Sequence, residues 1–223
     1  MTEHEAPPPD QSEALHDVLK SLPLMDDLFL RMQAQNIVMV NAHIIDVEKA
    51  MFRQYMEEES TPVSQALFTS ALSQMWIFAL YELLRTWRQR VQETLVHGEK
   101  FVAGQTEATV IPAQPDYATN FPFLCARARA EHDQDFLRQI REARDLIDPP
   151  YRELEGVRVT LAKHEIPKGK GLKAANAGYA RIDPLSGSMN YLFINKDGHS
   201  NMVSRHSIVQ HILQAFGSVA DDP

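Results

Sequence analysis

The spacing of apolar positions divides the chain into a long helical part and a short strand-like part. Ser12 is placed to cap a short helix that Pro23 interrupts, and Leu28, Leu30 and Met32 form the next apolar set. From Asn36 the pattern sharpens. Ile37, Val40, Ile44, Val47, Met51 and Tyr55 recur at three- and four-residue steps, predicting a helix to about Glu58. Thr61-Pro62 predicts a fresh start, with Thr as cap and Pro at the first helical position. In the helix that follows, Phe68, Leu72, Met75, Ala79 and Glu82 form one stripe, and Trp76, Leu80, Leu83 and Trp87 form a second beside it. Two adjacent apolar stripes predict a helix buried on most sides, at the centre of a bundle, with His97-Gly98 as its end.

Residues 98–120 carry Gly98, Gly104, Pro112 and Pro115 without a clear period and read as a long loop, with a short extended piece at Ala108 to Ile111. A helix from about Phe121 to Ile147 turns Leu124, Ala128, Phe136, Ile140 and Ile147 inward, and Asp148-Pro149-Pro150 is expected to stop it. A shorter helix runs from Tyr151 to about Glu165, ended by Ile166-Pro167, and the Lys168-Gly-Lys-Gly171 stretch reads as a basic loop. From Gly178 the period becomes two: Tyr179 to Asp183, Ser188 to Ile194 and Asn201 to Val203 read as strands. The turn signals between them are Pro184 to Gly187 and Asn195 to Gly198, and Ser204 caps a last helix carrying Ile208, Val209, Ile212, Leu213 and Phe216. The expected fold is mainly α: a helical bundle with a small C-terminal antiparallel β meander and a closing helix. The expected division is a disordered tail over 1–11, a bundle domain over 12–167 and a meander-plus-helix appendage over 168–223.

Composition narrows the chemistry. The single cysteine, Cys125, excludes an intramolecular disulfide and a Cys-based zinc site. The longest apolar run, Met75 to Leu80, is far short of a bilayer span, and the acidic, Pro-rich start is unlike a signal peptide, so a cytoplasmic protein without membrane contact is expected. The net charge of −8 is uneven. Residues 1–60 hold 12 acids against 4 bases, whereas residues 156–181 hold Arg158, Lys163, Lys168, Lys170, Lys173 and Arg181 against Glu165 alone. The whole chain repels nucleic acid at long range, while Lys168, Lys170 and Lys173 could still grip phosphates locally. A solvated basic loop is the plainer reading.

Three groups of residues could carry chemistry. On the helix from Tyr151, Leu154, Val157 and Leu161 mark the buried stripe. At about 100° per residue, Arg158 and His164 fall on either side of that seam. A guanidinium there can stabilise phosphorane-like charge and an imidazole can move protons near neutral pH. The structural alternative has Arg158 paired with a core carboxylate and His164 packed at the helix end. Glu82 sits within the apolar run Met75 to Leu84 and is expected to be a buried ion-pair partner of Arg85 or Arg158; with Tyr81 it could instead line a cleft. Arg205-His206 opens the last helix, where cations are unfavourable and exposure is expected. Walker, dinucleotide-binding, H-E-x-x-H and Gly-x-Ser-x-Gly motifs are absent, so neither a metal nor another cofactor is expected.

The string Arg158-Val-Thr-Leu-Ala-Lys-His164 reads R-x5-H late in a helical bundle. It resembles the R-x4-6-H motif of the HEPN superfamily of small α-helical proteins, and Ser73 to Arg85 is similar to the long core helix of bacterial HEPN-like proteins. The resemblance spans about residues 36–166. It implies a metal-independent ribonuclease or RNA-binding component of a toxin–antitoxin or phage-defence system, with Arg158 and His164 acting in RNA cleavage and Lys163 nearby. It also implies a homodimer with the site in a cleft between protomers, and an antitoxin-like protein partner. Val159 departs from the motif, which usually has a polar residue there. Beside this stand two other readings: a non-catalytic dimeric helical interaction protein, motivated by the acidic N-terminal half and the Trp76/Trp87 helix, and a small-molecule sensor using an aromatic- and Met-containing core.

Overall fold

A computed structural model describes residues 11–113, 120–162, 172–174, 180–183, 186–195 and 199–220. Among the described residues six helices and four strands follow the order α1 (Ser12–Ser21), α2 (Leu28–Glu58), α3 (Val63–Val102), α4 (Phe121–His132), α5 (Gln134–Ala162), β1 (Leu172–Ala174), β2 (Ala180–Ile182), β3 (Met189–Asn195), β4 (Ser200–Ser204) and α6 (Arg205–Ala220). The helical bundle, small antiparallel sheet and closing helix expected from the periodicity are present. α3 is the axis of the bundle, in contact with α2, α4 and α5 and, at the far end, with β3 and α6.

Local chemistry explains the helix starts. Asp27 caps α2 by accepting from the backbone N–H of Phe29 (2.9 Å) and Leu30 (3.0 Å). Ser204 and Ser207 form a reciprocal cap at α6, each hydroxyl accepting from the other's backbone N–H at 2.9–3.0 Å. Pro62 is the N-cap of α3 rather than its first helical residue, and no side chain caps this end. α3 also runs past Gly98 to Val102. Gly98 is needed there for packing, since a Cβ would lie 2.8 Å from the Ala130 carbonyl and 2.9 Å from Leu137.

The expected break at Asp148-Pro149-Pro150 is not where the chain breaks. α5 continues through both prolines. Ile147, Tyr151, Leu154, Val157 and Leu161 are all buried along one face. Each is worth roughly 1.5–3 kcal/mol, which together outweighs the ~3 kcal/mol cost of an interior proline. The chain instead bends at Asp133, whose extended backbone separates α4 from α5 and whose side chain accepts from the Phe136 N–H at 2.8 Å. In α4 the buried positions are Ala126, Ala130 and Glu131, not Leu124 and Ala128.

β3 is the central strand. β4 pairs antiparallel along one edge, while β1 and β2 pair with opposite ends of the other edge. Lys173 therefore sits in a strand, in register with Ile194. Sheet and bundle are joined by a buried polar network. The Arg205 guanidinium, 1% exposed, donates to Glu48 Oε2 (2.5 Å) and to Asn41; Asn41 donates to Ser12 Oγ, and Ser188 donates to Glu48 Oε1 at 3.0 Å. Arg205 is thus sealed rather than exposed: the carboxylate it needs comes from α2, far away in sequence. His206 is half-buried. The two tryptophans lock neighbouring elements, Trp76 donating to the Ile37 carbonyl (2.9 Å) and Trp87 to that of Pro23 (2.7 Å).

The two stripes of α3 have opposite fates. Trp76, Leu80, Leu83 and Trp87 are buried, but Phe68 is 54% and Met75 66% exposed. The helix is the bundle axis on one side only.

Candidate functional site

α3 and α5 lie side by side, and their shared seam holds four of the residues singled out in the sequence. Leu154, Val157 and Leu161 point into the core as expected. Arg158 borders them, with a side chain 36% exposed. Its Nη2 is 3.8 Å from Glu82 Oε1, and its guanidinium carbon lies 5.0 Å from the centre of the Tyr81 ring. Arg85 Nε donates to Glu82 Oε2 at 2.8 Å. Glu82 therefore has the cationic partners expected of it but not the burial, since nearly half its side chain meets solvent. The reason is its place on the uncovered stripe of α3.

The seam continues through residues that the sequence did not single out. Tyr81 stacks on Tyr151, ring centres 5.6 Å apart, and Arg88 lies 4.2 Å above the Tyr151 ring. Arg88 also donates to Asp148, which accepts from Arg152 on its other oxygen at 2.5 Å. Burial alone would raise the pKa of Asp148, but the Arg88 and Arg152 hydrogen bonds and charges overcome it and hold the carboxyl below its usual range. Burial, reinforced by the Tyr81 hydroxyl, pushes Tyr151 far up, so its phenol stays protonated. The Asp148–Arg152 spacing of four residues was the available signal. Reading a helix stop at Pro149-Pro150 placed the two on separate elements and hid it.

His164, Lys163, Lys168 and Lys170 lie outside the described residues, as does the basic loop at 168–171. The seam brings together Arg158, Glu82, Arg85 and Tyr81. Chemically it offers an accessible cation, held loosely by one carboxylate and backed by aromatic faces. That arrangement can neutralise a phosphate or carboxylate.

A second cluster, absent from the sequence reading, is closed. His97 on α3 and Glu131 on α4 are 7% and 5% exposed, with His97 Nε2 2.7 Å from Glu131 Oε1. Arg127 donates to Nδ1 at 2.9 Å, which leaves the ring hydrogen on Nε2, facing Glu131 and the Thr109 hydroxyl (3.0 Å). The Thr109 backbone N–H donates to the same Glu131 oxygen at 2.6 Å. Burial alone raises Glu131, but the hydrogen bonds from His97 and Thr109 bring it down to about 2. These groups bond to one another, so the cluster fastens the segment after α3 to the bundle. His97 at the supposed helix end and Thr109 in the supposed extended piece gave no sequence sign that they meet.

Among the described residues, no three His, Cys, Asp or Glu side chains are grouped to hold a metal ion. Compared with known proteins, the chain matches no family model, no curated protein and no solved structure.

Proposed function

We propose that the protein handles RNA at the α3–α5 seam, with Arg158 as the phosphate contact and the lysines of the Lys163–Lys173 stretch as further phosphate contacts. The observation that supports this reading is the accessibility of Arg158: its guanidinium is neither sealed in hydrocarbon nor bound bidentately by Glu82. Along the seam Arg85, Arg88, Arg152 and Arg158 outnumber Glu82, Asp148 and Glu155, an excess of positive charge in an acidic chain. Cleavage in this reading belongs to Arg158 with His164 and needs no metal: the ribose 2′-hydroxyl attacks the adjacent phosphorus as the bond to the 5′-oxygen breaks, the imidazole takes the 2′-hydroxyl proton and returns it to the departing 5′-oxygen, and the guanidinium steadies the phosphorane.

The test is binding and cleavage of a single-stranded RNA by purified protein at low and moderate salt. Binding that weakens with salt and falls at least several-fold in Arg158→Ala supports the proposal. Cleavage lost in His164→Ala, with binding kept, supports the catalytic part. A wild type that neither binds nor cleaves RNA overturns both. A second reading, a non-catalytic helical interaction protein, is favoured by a different observation: the uncovered apolar stripe of α3.

A further inference from the structure

A cavity of about 330 Å³ lies where the sheet meets the turn between α2 and α3. One wall is the last turn of α2 at Tyr55, another is the first two turns of α3, and the third is β2 with the start of β3. Ala66 and Leu67 of α3 face Ile182 and Met189 of the sheet, which gives the interior an apolar body. Ser70, buried at the floor, already shares its hydroxyl with Tyr191 and Gln74.

The β2 wall has an open edge. The Asp183 N–H donates to the Ser188 carbonyl at 2.8 Å, which closes the β2–β3 hairpin. Alternation along an antiparallel pair then makes Arg181–Asn190 the next hydrogen-bonded pair. The backbone N–H groups of Ala180 and Ile182 are left pointing away from β3, and no described strand lies beyond them. Both residues line the cavity. Their side chains share the sheet face of Tyr191 and Met189, the face that meets α3 through the Tyr191–Ser70 bond. Arg181 starts from the other face and lines the cavity from the open edge.

Three polar side chains of the lining have no partner among the described residues: the Arg181 guanidinium and the hydroxyls of Tyr55 and Thr61. Arg181 is the one charged residue among those lining residues. The nearest acid on the strand side, Asp183, is turned into its own loop by the Ser186 hydroxyl and N–H.

We propose that this cavity binds a small monocarboxylate with an apolar body. The carboxylate sits against Arg181, within reach of the Tyr55 and Thr61 hydroxyls, and the body lies between the first turns of α3 and the sheet. A pairing of this kind is charge-assisted and directional, because the guanidinium fork matches a carboxylate. Size limits the body. At about 30 Å³ per water-sized group, the cavity holds on the order of ten non-hydrogen atoms. Charge limits the head. Exposed Glu57, Glu58 and Glu59 follow Tyr55 just outside the lining. They repel a doubly charged phosphate twice as strongly as a single carboxylate, while one guanidinium neutralises only one charge. A cationic head would meet Arg181 instead of a carboxylate.

The proposal does not rest on the RNA reading, and its test contains no RNA. Octanoate is titrated into the full chain by calorimetry up to about 10 mM. The expected result is one site with a Kd below about 1 mM. Arg181→Gln is expected to weaken it at least tenfold and Arg181→Lys by less. Neither should move the unfolding midpoint of the free protein, because Arg181 is exposed. Leu67→Trp, at a 66% exposed position of the lining, fills the cavity and removes the binding heat without unfolding the chain. Octyl phosphate and octylamine should each bind at least several-fold more weakly than octanoate. No binding up to the highest concentration overturns the proposal, and so does octyl phosphate or octylamine binding as tightly as octanoate. Octanoate binding that survives Arg181→Gln but is lost in Met75→Asp places the ligand on the outer stripe of α3 and also overturns it.

Discussion

The molecule holds two arginine–glutamate clusters built from nearly the same side chains in opposite settings. In one, Arg205 and Glu48 are sealed between α2 and α6, with Asn41 and Ser188 satisfying further atoms. In the other, Arg158 and Arg85 share Glu82 on the open α3–α5 seam. The difference shows that residue type does not decide whether an ion pair is structural. Burial does, because a buried charge stripped of its partner has no water to turn to. At Glu48, desolvation outweighs even the pull of Arg205, and the carboxyl lies above its usual range.

The largest effect should come from breaking the sealed pair on one side. Arg205→Ala leaves Glu48 buried and unpaired, and is expected to cost about 3–5 kcal/mol in denaturant unfolding. Replacing both, as Glu48→Leu/Arg205→Met, should cost much less than that single change. Equal costs would show that the cluster contributes packing rather than charge compensation.

The His97–Glu131 cluster gives a comparison of intermediate size, read through pH. Glu131 sits at about 2 in the fold against 4.5 when unperturbed. A depressed carboxyl adds stability that is complete above about 4.5 and is lost as the pH falls toward about 2. Thermal unfolding between pH 5 and pH 2 should therefore show a steeper loss for wild type than for Glu131→Gln, which starts less stable and has less to lose. Parallel curves would remove Glu131 from the acid response.

What could be read from the sequence follows the same division between local and distant causes. The helices over α2 and α3, the Ser204 cap and the β3 alternation rest on local signals, and each is present in the fold. The readings that changed depended on partners remote in the chain. Arg205 was expected outside because Glu48 is invisible from position 205. The continuation of α5 through Pro149-Pro150 depends on buried contacts of Tyr151 and Leu154 with other helices. The outer stripe of α3 looked like core because periodicity identifies an apolar face without saying whether this chain covers it. Of the candidate site, the meeting of Arg158, Glu82 and Arg85 was legible from helix spacing and one guessed neighbour. Arg88, Asp148 and Tyr151 were not, because the wrong helix stop cut their ladder in two.

The smallest expected effect is the most discriminating for function. Glu82→Gln removes the carboxylate charge from the open seam while keeping its shape. Glu82 and Arg85 are about half exposed and Arg158 about a third, so solvent screening keeps the stability cost small. The change frees Arg85 and Arg158 from their anionic partner. If the seam meets phosphate, RNA affinity should rise or hold, with a steeper salt dependence because more cations become available. If Glu82 instead orients Arg158 for its contact, affinity should fall while the unfolding midpoint stays in place. A large stability loss with no change in RNA binding would place this ion pair with Glu48 and Arg205 as structural, and would leave the seam without a function of its own.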